Sequence, residues 1–111
     1  MKQVYVIIVF LLTHFIYAEN NSINELNSAW DKLEQTVLNG DFRSFKSVYH
    51  RDAVLVNGIT KSSYPIKKAF EGWEQGFIDT KSGKIIANLD VKFSDRIYDQ
   101  LTAHETGIFH Y

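Results

Sequence analysis

The sequence predicts an α+β domain. Three observations carry that reading. Apolar residues recur three and four apart through three successive segments between Ile23 and Ile78. After Gly83 the apolar period falls to two. The helical and the alternating segments are segregated along the chain, with no repeat, linker or low-complexity stretch between them.

The first element reads as an address. Lys2 is followed by an apolar run from Val4 to Ile16, broken only by Thr13 and His14, and then by Ile16-Tyr17-Ala18 ahead of polar Glu19-Asn20-Asn21. That order is the layout of a cleaved export signal over residues 1–18, with cleavage near Ala18. The run is shorter than the ~20 apolar residues a membrane-crossing helix needs. The expected product is a secreted or periplasmic domain over 19–111, with no stable membrane anchor.

Ser22-Ile23-Asn24-Glu25 has the form of a capping box. Ile23, Leu26, Trp30, Leu33 and Val37 follow at helical spacing, so an amphipathic helix is predicted over 23–38, closed by Asn39-Gly40. Asp41 then caps a short second helix in which Phe42, Phe45, Val48 and Tyr49 share a face. Ala53 to Val56 reads as a strand that ends at the turn pair Asn57-Gly58. Ser62-Ser63 before Pro65 reads as the start of a third helix, and Ile66, Phe70, Trp73 and Phe77 give its apolar face to about Ile78.

Asp79 to Gly83 is a break. Ile85, Ala87, Leu89, Val91 and Phe93 alternate with polar residues as a half-buried strand. Tyr98-Asp99-Gln100 is the expected hairpin apex, and Leu101 to Tyr111 the return strand. The chain stops inside that strand, which reads as a truncated frame or as a protein completed by a partner, because an open last strand is an association hazard.

Composition narrows the chemistry. Twelve Lys and Arg face 13 Asp and Glu, without a run of five like charges, so the basic stripe of a nucleic-acid binder is missing. The chain has no cysteine, which excludes disulfides, thiol catalysis and cysteine-ligated metals. The six glycines are dispersed, so there is no phosphate-cradling loop. His50 and Asp52 lie close in sequence but read as surface groups at a helix end. His104 and His110 lie on one face of a strand about 20 Å apart at ~3.3 Å per residue, too far to share an ion, and Glu105 faces the other way. No metal site and no cofactor are expected.

Residues 29–111 resemble the NTF2-like superfamily, in particular its SnoaL-like and DUF4440-type domains. The resemblance rests on Trp30 and Leu33, on Asn39-Gly40-Asp41-Phe42, and on Tyr49-His50-Arg51-Asp52-Ala53-Val54. The Pro65–Trp73 helix and the Ala103-x-x-x-Gly107 strand follow in the corresponding places. It implies a cone, with three N-terminal helices packed on a curved antiparallel sheet around an apolar pocket, and with the family's last strand or strands lying beyond Tyr111.

Within that resemblance, the base position of the ketosteroid isomerases falls on Asn57 and their tyrosine donor position near Leu33. Neither side chain can do that work, since an amide is no useful base and leucine has no proton to give. The third role would come from a later strand. The expected function is therefore binding of a small apolar molecule without supported catalysis. Trp30, Tyr49, Tyr64, Phe70, Trp73 and Tyr98 are the candidate pocket wall, with Asn57 and Glu105 as its polar residues. Plain core packing is the more usual reason for aromatics at this spacing. The alternative function is a non-enzymatic association module that dimerises through its sheet.

Overall fold

The structure, a computed structural model, describes residues 21–111 in full and the backbone of residues 2–20. The elements run α1 (Lys2–Asn39), α2 (Phe42–Ser47), β1 (Val54–Asn57), β2 (Ser62–Pro65), α3 (Ile66–Lys81), β3 (Asp90–Tyr98) and β4 (Ala103–His110). The class is α+β, with three helices and two small antiparallel sheets. The export signal expected over 1–18 lies outside the fully described residues. Among the described residues, no helix is long and apolar enough to cross a membrane.

The chain divides into two compact units. Residues up to Trp30 join Val91–Ile108 in the first, and Asp31–Asp90 join Phe109–Tyr111 in the second.

In the second unit the last turns of α1 bury Leu33, Thr36 and Val37, the face that the helical spacing marks. The helix ends at a left-handed glycine. Gly40 has φ 65°, its N–H donates to the Val37 carbonyl at 3.2 Å, and the Asp41 N–H reaches back to Thr36 at 2.9 Å. This is a Schellman closure. A Cβ at Gly40 would sit 2.5 Å from the Lys81 nitrogen, so the same glycine lets the end of α3 approach. Asp41 caps α2 as expected, its Oδ1 accepting the Ser44 N–H at 3.2 Å. α3 packs on α2 and on both strands of the β1–β2 hairpin.

Four expectations need correction. The helix does not begin at Ser22: α1 runs continuously through the capping-box residues, and Asn21 Nδ2 instead donates one turn on to Glu25 Oε1 at 3.3 Å. With no Gly or Pro between Lys2 and Asn39 nothing stops the helix there. Ser62 and Ser63 are not helix caps but half of β2, in register with β1 as Asn57↔Ser62 and Val56↔Ser63. Pro65, at φ −57° and ψ 145°, keeps the extended form and hands the chain to α3, whose Ile66 N–H donates to the Ala53 carbonyl at 2.9 Å.

The third correction concerns the alternating strand, which starts at Asp90 rather than near Ile85. A strand needs a neighbour to take its hydrogen bonds, and residues 85–89 lie outside the β3–β4 hairpin. Fourth, the described strands do not join in a single sheet. The strands form two separate hairpins, β1–β2 and β3–β4.

In the first unit, Gly107 marks the closest approach of β4 to β3: a Cβ there would collide with the Lys92 carbonyl. The inward phase of β3 also slips. Val91 and Phe93 are half-buried, then Ser94 and Asp95 are both exposed, then Arg96 and Tyr98 are half-buried. The half-buried side of the strand thus resumes at Arg96 and leaves Ile97 exposed.

Candidate functional site

Each unit gathers part of the candidate set, and each part has its own chemistry.

In the second unit six rings from α2, its C-terminal flank and α3 meet. Phe45 is at the centre, with ring centroids 4.7 Å from Phe77, 5.3 Å from Tyr49, 5.9 Å from Trp73 and 6.4 Å from both Phe42 and Phe70. Phe42 stacks on Phe77 at 4.8 Å, and Tyr49 meets Phe70 nearly edge-on at 5.5 Å. Helical spacing on two helices that the β1–β2 hairpin separates in sequence produces this: Phe42 and Phe45 are three apart, and Phe70, Trp73 and Phe77 are three and four apart. Phe45 is buried, at 6% exposure, while the other five rings remain half-exposed. Burial pushes the Tyr49 phenol above its ordinary pKa, so it stays neutral. Lys46 lies over the Phe42 ring at 4.5 Å.

Tyr49, Phe70 and Trp73 are thus brought together, and Phe42, Phe45 and Phe77 join them. Their helical spacing is visible in the sequence, but it does not show that the faces of α2 and α3 converge.

Asn57 and Tyr64 stand apart on the β1–β2 hairpin. Tyr64 pairs with Leu55, and Lys68 Nζ lies 6.0 Å above its ring. Asn57 is exposed at the strand end, and its Oδ1 accepts the N–H groups of Ile59 at 3.0 Å and Thr60 at 3.1 Å. It is a turn former. The left-handed residue of this turn is Lys61, at φ 54°, not Gly58.

In the first unit, Trp30 and Glu105 meet. The Trp30 indole N–H donates to Glu105 Oε1 at 2.9 Å, and Arg96 Nε donates to Oε2 at 2.6 Å. Arg96 Nη2 also lies 2.6 Å from Oε2, as an ion-pair contact without the alignment of a hydrogen bond. Nη1 donates to Asn27 Oδ1 at 2.6 Å. The guanidinium rests 4.1 Å from the Phe93 ring centroid, and Phe93 meets Trp30 edge-on at 5.3 Å. Both oxygens of Glu105 are engaged, so the carboxylate is a brace between α1, β3 and β4 rather than an available base. Arg96, Asn27 and Phe93 were not legible as its partners, because the slip in β3 that turns Arg96 inward has no signature in the alternation. Tyr98 is half-buried at the end of the same strand.

The Asp52 N–H donates to His50 Nδ1 at 3.1 Å, and both side chains are exposed, which matches a surface helix end. Among the described residues, no group of three His, Cys, Asp or Glu is placed to hold a metal ion. Ser44 and its backbone N–H, helped by Lys81 and Arg43, hold the Asp41 carboxyl below the usual aspartate range. No protein-family model, curated protein or solved structure matches this chain.

Proposed function

We propose that this chain is an exported, non-catalytic binding domain of the NTF2-like type, taking a small apolar molecule on the aromatic cluster of its second unit. The observation that supports this reading is the openness of that cluster. Phe45 at its centre is buried, yet the five rings around it are only half-buried. An apolar surface with a neutral phenol at Tyr49 is a common ligand-site composition. The order of the elements from α1 to β4 supports the NTF2-like cone as the parent fold, and export rests on the composition of residues 1–18.

The test is a thermal-shift screen of the mature chain against a library of small hydrophobic molecules, read in parallel by tryptophan emission. Hits should raise the melting temperature and perturb emission in a way that Trp73→Phe removes. A library that moves neither signal overturns the reading.

A second reading, a homodimeric association module, is favoured by one feature. In the first unit Ile97 on β3 and Ile108 on β4 are 63% and 65% exposed, and each strand has a single neighbour. Sedimentation of the mature chain as a monomer at high concentration would remove it.

A further inference from the structure

The sequence contains Asn-Gly twice, at 39–40 and at 57–58, and the fold treats the two copies differently. We propose that Asn57 is a site of spontaneous covalent modification, cyclising on Gly58 to a succinimide that opens to aspartate or isoaspartate, while Asn39 is protected. This inference stands independently of the proposed binding function.

The reaction needs the nitrogen of the following residue to lose its proton and attack the side-chain carbonyl carbon. Gly58 is suited to this. It carries no Cβ, and one built there would meet nothing within 4 Å, so the approach is open. Among the described residues its N–H donates to no backbone carbonyl of the turn. The electrophile is prepared as well. As the C–N bond forms, negative charge develops on Asn57 Oδ1, and the N–H groups of Ile59 and Thr60 already point at that oxygen from 3.0 and 3.1 Å. Two fixed donors on a developing oxyanion are the arrangement that lowers such barriers.

The atoms balance with water as the sole co-reactant. The Gly58 nitrogen bonds to Asn57 Cγ, the Cγ–Nδ2 bond breaks, and Nδ2 leaves as ammonia. Water then opens the ring at either carbonyl, so that asparagine and water become aspartate or isoaspartate and ammonia. Opening toward isoaspartate routes the main chain through an extra methylene. That lengthens the β1–β2 turn at the residue that pairs with Ser62 and adds a negative charge at the hairpin tip.

Asn39 lacks these conditions. Gly40 is buried, its N–H is committed to the Val37 carbonyl, and it is fixed at φ 65° between α1 and α3. Attack there requires breaking the helix closure first.

The experiment incubates the folded full-length chain at mildly alkaline pH and follows positions 39 and 57 by peptide mass spectrometry that resolves aspartate from isoaspartate. The expected result is conversion at 57 exceeding that at 39 on the order of tenfold or more, the factor that a protected N–H implies. In denaturant the two positions should convert at similar rates. Gly58→Ala, which meets no steric obstacle in the fold, should slow position 57 and leave position 39 as it was. Equal conversion at both positions in the folded chain overturns the proposal. So does an intact Asn57 under conditions where the unfolded chain converts.

Discussion

The indole N–H of Trp30 reaches Glu105 across 75 residues of sequence, at 2.9 Å, and Arg96 closes on the same carboxylate from the other side. The Arg96 and Glu105 side chains keep 19% and 11% of their exposure, so this ion pair is largely withdrawn from water. Such pairs add little over an apolar substitute, but removing one partner strands the other charge.

Glu105→Ala should therefore destabilise the protein by about 2–3 kcal/mol, somewhat under the cost for a completely buried pair. Replacing both partners, Arg96→Met with Glu105→Leu, should recover most of that loss. Urea denaturation of Arg96→Met, of Glu105→Leu and of the double variant measures the coupling. A double variant as unstable as the sum of the singles would show that the pair does not act as a unit.

The outcome for this brace shows where the sequence was legible and where it was not. The apolar face of α1 at Leu33 and Val37, the left-handed Gly40 and the Asp41 cap are local features, each decided within about one helical turn, and each is where the spacing puts it. Ser62 and Ser63 were misread because Ser-Ser-x-Pro has the same local chemistry before a helix as at the end of a strand. The pairing with Val56 and Asn57 decides between them, and that pairing is not local. The start of β3 failed for the same reason: residues 85–89 alternate correctly, but a strand needs a neighbour. For the candidate site, the helical aromatics were legible as residues, and their convergence on Phe45 was not.

Gly40 and Gly83 both have positive φ, at 65° and 80°, and differ in their surroundings. A Cβ at Gly40 would meet the Lys81 nitrogen at 2.5 Å and the Phe77 carbonyl oxygen at 2.9 Å, whereas one at Gly83 meets nothing within 4 Å. Gly83→Ala should cost only the left-handed backbone penalty of about 1–2 kcal/mol. Gly40→Ala adds a backbone collision that α1 and α3 must part to relieve, for a total of about 2–4 kcal/mol. Thermal melts of the two variants compare them directly, and equal losses would mean that the contact with α3 is not formed.

The aromatic cluster predicts a graded response. Phe45 touches five other rings and is buried, so Phe45→Ala should cost about 3–5 kcal/mol. Trp73 is half-exposed and touches Phe45 and Phe70, so Trp73→Ala should cost less, about 1–3 kcal/mol, despite removing more atoms. Denaturant midpoints for the pair decide it. If Trp73→Ala proves the more damaging change, the ring is core and the proposed ligand surface loses one of its rings.

Asp99 ties the β3–β4 turn. Its Oδ1 accepts the N–H groups of Leu101 at 2.8 Å and Thr102 at 2.7 Å and the Thr102 hydroxyl at 3.1 Å. These donors favour the ionised carboxylate and hold its pKa below the ordinary aspartate value of 3.8. A carboxyl depressed in the folded state stabilises that state above the unfolded pKa, and the contribution is lost as pH falls through the lowered folded value. Stability owed to this turn should thus be constant from neutral pH down to about 4 and decline below it. Asp99→Asn keeps an acceptor oxygen but cannot ionise, so its stability should lack that part of the acid decline. Chemical denaturation of both chains across the acid range tests this, and parallel curves would show that the turn does not depend on the Asp99 charge.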